Sequence, residues 1–191
     1  MFPASDQYFS EICSPIFFAH RERKPNVYKK TENGMKVFVS HSSADKKIAQ
    51  AFIEFLRAAL PLTAKDIRCT SVDGYKLAAG TNSDEQLKQE VFDAQAFLAL
   101  LSPKSMKSVY VLFELGARWG ANRFLAPVMV SGLPPSALKA PLSAIHAVSG
   151  DSEGDLHQLI KDLSDLLGIE AEQPNAYLKA LHSFIKISKW I

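Results

Sequence analysis

One segment whose residues could carry chemistry in this 191-residue chain is Ser108-Val109-Tyr110-Val111-Leu112-Phe113-Glu114-Leu115-Gly116-Ala117-Arg118-Trp119, with the acid Glu114. At ~100° per residue, Ser108, Val111, Leu112, Leu115 and Trp119 predict the core-facing side of a helix, with Glu114 roughly 120° away from it. Tyr110 and Arg118 flank the carboxylate, each four residues distant. Taken alone, this pattern is a helix-surface Glu–Arg pair worth ~0.3–0.5 kcal/mol. A second polar segment, Phe38-Val39-Ser40-His41-Ser42-Ser43-Ala44-Asp45, runs from an apolar stretch into a helix start. Free backbone N–H groups there, with the Ser42 and Ser43 hydroxyls, suit a phosphate or ribose, and suit a plain helix cap equally well. The third segment is the loop Asp73–Asn82, where Gly74 and Gly80 permit unusual backbone angles. An ordinary surface connection has the same composition.

Several other chemistries lack their residues. Gly-x-x-x-x-Gly-Lys-Ser/Thr is missing, as is Gly-x-Gly-x-x-Gly after the first strand. A phosphoacceptor receiver needs clustered acids at that strand's end, yet none precedes Asp45. His20, His41, His146, His157 and His182 show no paired spacing, so no zinc site is expected. A Ser–His–acid triad stays open, although no Gly-x-Ser-x-Gly elbow occurs. Cys13 and Cys69 are too few for a disulfide framework and lack metal-ligand spacing, which suits a reducing cytosol.

The elements that must hold these segments follow from periodicity. Lys36–Ser40 reads as a buried strand. Ser42 or Ser43 then caps a helix whose stripe is Ile48, Ala51, Phe52, Phe55, Leu56, Ala59 and Leu60, ended by Pro61. Further strands are expected near Ile67–Val72, Ala96–Leu101, Phe124–Val130 and Ala144–Val148. Helices are expected from Ser83, capped with Gln86, to about Asp93; from Ser102-Pro103 to about Asn122; from Asp155 to Leu167; and from Pro174 to Trp190. Five strands alternating with helices predict an α/β fold, a flavodoxin-like doubly wound parallel sheet with helices on both faces. Ligands bind such sheets at the carboxyl ends of the strands.

Residues 35–168 are therefore expected to form the main domain. Residues 1–34 are a Pro-interrupted extension with the basic cluster His20-Arg21-Glu22-Arg23-Lys24, and 169–191 a helical extension. That last helix carries Leu178, Leu181, Phe184, Ile185, Ile187 and Trp190, which suit docking on its own domain or on a partner. The net charge of +2 offers no general case for nucleic acid or an acidic membrane. No apolar run approaches the ~20 residues of a membrane span, and no secretory signal is visible, so a cytoplasmic location is expected.

The order and spacing of the three polar segments resemble a TIR (Toll/interleukin-1 receptor) domain of the bacterial type, over about residues 35–168. Phe38–Asp45 resembles the first box of that family. Asp73–Asn82, with Leu77-Ala78-Ala79-Gly80, resembles its BB loop, and Ser108–Glu114 its Ser-x-Trp-Cys-x-x-Glu box. Tyr110 stands where the family often has Trp, and Val111 where it often has Cys.

The resemblance implies an NAD⁺ nucleosidase that cleaves the nicotinamide–ribose bond to give ADP-ribose or a cyclic isomer, in bacterial antiviral defence or signalling. It implies Glu114 as the catalytic carboxylate, with His41, Ser42, Ser43, Asp73, Asn82 and Tyr110 around the nucleotide. NAD⁺ is then the substrate, and neither metal nor added cofactor is required. Self-association through TIR surfaces and a separate sensor or effector protein are the partners it implies. Two alternatives stand beside it: a non-catalytic adaptor module acting by homotypic assembly, and a nucleoside-processing transferase of related topology.

Overall fold

The computed structural model describes residues 35–69, 72 and 83–189. The expected extension 1–34 and the loop 73–82 lie outside the described residues.

Five strands form one wholly parallel sheet: β1 (Val37–Ser40), β2 (Ile67–Arg68), β3 (Ala96–Leu101), β4 (Leu125–Met129) and β5 (Val148–Ser149). Their spatial order is β2-β1-β3-β4-β5. The helices are α1 (Lys46–Ala59), α2 (Ser83–Asp93), α3 (Val109–Gly120), α4 (Glu153–Leu167) and α5 (Pro174–Ser188). The direction of winding reverses between β1 and β3, which opens a crevice at their carboxyl ends.

Alternation along each strand sorts the core into two layers, because successive side chains point to opposite faces. Val37, Val39, Leu98, Leu100, Ala126 and Val128 meet α1, α4 and α5 on one face. Phe38, Phe97, Ala99, Leu101, Leu125 and Met129 meet α2 and α3 on the other. Both faces are covered, so the strands are apolar throughout, as a parallel sheet requires. Phe38 stacks on Phe97 with ring centroids 5.2 Å apart. Ser40 shares the parity of Phe38, and its side chain is aimed at the α2–α3 layer.

The expected stripe of α1 is buried in full, and the chain turns away just before Pro61. The last helix docks on its own domain: Phe184 packs on Phe52 and Phe55 at 5.0 and 6.0 Å, and Tyr177 meets Phe55 at 5.9 Å. Its expected terminal residue Trp190 lies outside the described residues. Gly168 closes α4 in the left-handed region at φ 62°, a conformation glycine adopts without steric cost.

Three expectations need correction. The strand placed at Ala144–Val148 begins only at Val148, where pairing with Val128 starts, and Leu142–Ala144 is a 3-10 turn. Among the described residues, the strand placed near Ile67–Val72 pairs at Ile67 and Arg68 alone. The largest correction concerns α3. Its buried side is Val111, Glu114, Leu115 and Arg118, while Leu112 and Trp119 are 40% and 47% exposed. The buried four fall at i, i+3, i+4 and i+7, a true helical stripe, but two of them are charged.

Candidate functional site

The site is assembled where β1, α2 and α3 converge. Ser108 caps α3 by accepting from the Val111 amide at 3.4 Å, which fixes where the helix starts. Arg118 then anchors the helix from within. It is fully buried, and its guanidinium donates to the carbonyls of Phe124, Val91, Phe92, Ala94 and Gln95 at 2.7–3.1 Å. Five N–H donors in a rigid fork suit this task, and they tie α3 to the end of α2 and to the starts of β3 and β4. Arg118 is therefore a structural clamp rather than the surface partner of Glu114 that i+4 spacing suggests.

The clamp sets the rotation of α3, and that rotation turns Glu114 inward. Its side chain is 7% exposed, and its Oε2 accepts a hydrogen bond from the Ser40 hydroxyl at 2.5 Å. A carboxylate so removed from water resists ionisation. Burial pushes its pKa up from 4.5 to about 7, with the Ser40 hydrogen bond pulling the other way. Because no buried side-chain oxygen lacks a partner among the described residues, Oε1 opens toward solvent.

Glu114 also lines a cleft of about 330 Å³ between α2 and α3. Leu87, Val91 and Phe92 form one wall, Tyr110, Phe113 and Ala117 the other, and Lys88 stands at the margin. Among the described residues these walls are largely apolar and aromatic, and Glu114 is the one acid in them. Such a surface accepts a flat aromatic group beside a centre of developing positive charge.

The remaining expected site residues divide. Tyr110 lines the cleft one turn before Glu114. His41 follows Ser40 directly and is half-buried, with Nδ1 3.6 Å from Cys69 Sγ. Burial lowers the His41 pKa from 6.5, outweighing the Val39 carbonyl and Asp45 carboxylate that favour its cation, so the imidazole is neutral at pH 7. Ser42 is a helix cap, accepting from the Ala44 amide at 3.3 Å. Ser43 is exposed on the first turn beside it. Neither serine lines the cleft of Glu114. Asp73 and Asn82 lie outside the described residues, as does the Ser83 side chain of the expected capping box. Gln86 of that box donates to Glu90 at 2.9 Å, and Glu90 in turn takes Arg68 at 2.5 and 2.7 Å.

Sequence reasoning passed over Ser40, Phe92 and Phe113. The signal for Ser40 was present: one hydroxyl ends an otherwise apolar strand, and a buried hydroxyl demands a partner.

Comparison with known proteins fits this architecture to a family. The family model described as TIR domain matches residues 37–160, about two thirds of the chain. The chain belongs to the TIR domain family. Over 84 residues it is 36% identical to the uncharacterized protein YddK of Bacillus subtilis (strain 168). That stretch is 44% of this chain but 31% of the relative, so the TIR chain spans under a third of that protein. Among solved structures, the TIR domains of the activated Roq1 resistosome recognizing the pathogen effector XopQ align at TM-score 0.46 and 14% identity. The alignment covers 80% of this chain and 98% of that one. At such distance the likeness adds nothing to the family assignment, which rests on the family model.

Within the described TIR residues no helix is long and apolar enough to cross a membrane. Nor do they gather three or more His, Cys, Asp or Glu side chains as a metal site.

Proposed function

We propose that this TIR domain cleaves NAD⁺ between nicotinamide and ribose, with Glu114 as its catalytic carboxylate. The observation that carries the reading is the placement of Glu114: a buried carboxylate, held on one oxygen by Ser40, that lines an aromatic-walled cleft.

The chemistry asks for one acid. Glycosidases commonly use two carboxylates because an alkoxide leaving group must be protonated. Nicotinamide instead departs from a cationic pyridinium: the C1′–N bond breaks, the electron pair goes to the ring nitrogen, and nicotinamide leaves neutral. The ribose is left as an oxocarbenium ion, which a fixed anion in a dry cleft stabilises. Water then adds at C1′ and loses a proton, giving ADP-ribose. Capture by a nitrogen of the adenine gives a cyclic isomer instead. Tyr110, Phe113 and Phe92 suit the nicotinamide or its ribose face, and Lys88 the pyrophosphate. His41, Ser42, Ser43, Asp73 and Asn82 complete the proposed nucleotide surroundings, and no added cofactor enters the reaction.

Because the ionised carboxylate is the working form, the cationic substrate assists itself: its positive ring draws the Glu114 pKa down as it binds. The test is chromatography of NAD⁺ incubated with the wild type and with Glu114→Gln. The reading expects nicotinamide from the wild type alone, with the variant folded; equal turnover by the variant ends it.

Assembly is a second proposed property, favoured by one observation. Val109 and Phe113 on α3 are 82% and 67% exposed, next to the half-exposed Phe92. An apolar margin of this kind suits a second copy or a sensor protein. Specific activity that rises with protein concentration would support it; a strict monomer with constant specific activity would not. Antiviral signalling and a cytoplasmic setting belong to the same proposal.

A further inference from the structure

We propose that Ser40 is a positioning residue for the cleft, holding Glu114 so that one carboxylate oxygen is fixed and the other faces substrate. The inference rests on the proposed NAD⁺ cleavage for its consequence, but the interaction itself is structural.

Ser40 ends β1, and pleating gives it the parity of Phe38, toward the layer containing α3. It is 2% exposed, and its hydroxyl spans 74 residues of sequence to reach Oε2 of Glu114. Arg118 fixes the helix and thereby the Cα of Glu114, but a glutamate keeps three rotatable side-chain bonds. The Ser40 hydroxyl is the group that selects among those rotamers. A short bond to a charged acceptor is strong enough to do so. Oε1 is left without a hydrogen bond from the described residues, so a ribose hydroxyl would donate to it without displacing an existing bond.

The bond also favours the charged form of the carboxylate, against the burial that disfavours it. Of the charged or titratable groups on the packed elements, Lys88 of α2 and Tyr110 of α3 line the cleft with Glu114, Arg118 shares its buried face of α3, and His41 follows β1. Glu85, Glu90 and Asp93 of α2 are not among the cleft's described lining, and the Asp84 side chain lies outside the described residues. Among the described residues, burial and Ser40 are the two influences that move Glu114. Loss of the hydroxyl therefore leaves burial unopposed.

The test compares wild type, Ser40→Ala and Ser40→Thr in two readouts. The first is kcat/KM for NAD⁺ cleavage from pH 5 to 9. For Ser40→Ala the rising limb is expected to move up by about one pH unit, a roughly tenfold loss below pH 7 that closes above pH 8. Ser40→Thr, which keeps the hydroxyl, returns the limb toward the wild-type position. The second readout is urea unfolding across the same pH range. There the pH span over which stability falls is expected to extend upward in Ser40→Ala, and not in a Glu114→Gln background.

A uniform loss of kcat/KM at every pH, with the limb unmoved, would make Ser40 merely structural and overturn the proposal. Unchanged profiles in both readouts would overturn it equally. If the wild type cleaves no NAD⁺ yet the unfolding profile shifts as described, the functional reading fails while the positioning of Glu114 by Ser40 stands.

Discussion

Two buried carboxylates flank the crevice of this TIR domain, and each accepts one serine hydroxyl. Asp45, 4% exposed, takes the Ser102 hydroxyl at 2.7 Å. Ser102 Oγ in turn accepts the amides of Lys104 and Ser105, both at 3.1 Å, and Ser105 Oγ receives the Ser102 amide at 2.7 Å. Those bonds tie the turn just before α1 to the exit of β3. Glu114 takes the Ser40 hydroxyl at 2.5 Å and lines an aromatic-walled cleft. The same pair of residue types thus makes a connector in one place and, in the proposed reading, holds the catalytic carboxylate in the other. Asp45 also lines a cleft, of about 210 Å³, but among the described residues that cleft has no aromatic wall.

The comparison is broken most forcefully by removing each acid. Glu114→Gln is expected to lower NAD⁺ turnover by at least about a hundredfold, the scale of a lost electrostatic contact to a transition state. Asp45→Ala is expected to leave turnover within a few-fold of wild type while costing about 1–3 kcal/mol of stability, since Ser102 loses its buried acceptor. Denaturant titration together with a nicotinamide assay reads both. Large activity losses in both variants would erase the distinction.

The stability effects of the two changes should also have opposite signs. A carboxyl whose folded pKa of about 7 exceeds 4.5 binds its proton more tightly when folded. Stability from this group is therefore full below pH 4.5 and lost as pH rises toward 7 and beyond. The difference between the two states corresponds to about 3 kcal/mol. Glu114→Gln should lack this decline and be the more stable protein at pH 8. Urea midpoints at pH 4.5 and pH 8 check it; an equal decline in both proteins would place the titration elsewhere.

A smaller effect sharpens the contrast within the cleft. Tyr110→Phe, which keeps the ring, should change KM for NAD⁺ by less than Tyr110→Ala, which removes a wall contact worth about 1 kcal/mol, roughly fivefold. Steady-state kinetics of the pair would show it, and equal KM values would remove Tyr110 from the substrate surface.

Much of the frame was legible in the sequence because local rules and tertiary packing agreed. The run Val37-Phe38-Val39 is apolar on both parities, as a doubly covered strand must be. Pro61 and Gly168 mark helix ends by backbone chemistry alone. The face of α3 was not legible, since Val109 through Phe113 is apolar all round and cannot choose a side. What chose it was Arg118, whose carbonyl acceptors come from residues 91–95 and 124 and are invisible to periodicity. Glu114 was singled out by its place in a family box, but its burial and its bond to Ser40 follow from that clamp. Asp73 and Asn82, named on the same resemblance, lie outside the described residues.

The ionised Glu114 as the working group is tested most directly by the pH dependence of kcat/KM for nicotinamide release from NAD⁺. The account predicts a tenfold rise per pH unit below about 7, levelling above it, as the carboxyl of the free protein loses its proton. A profile that falls above pH 7 would make Glu114 a proton donor, and one flat from pH 5 to 9 would detach the reaction from this carboxylate; either result contradicts the account.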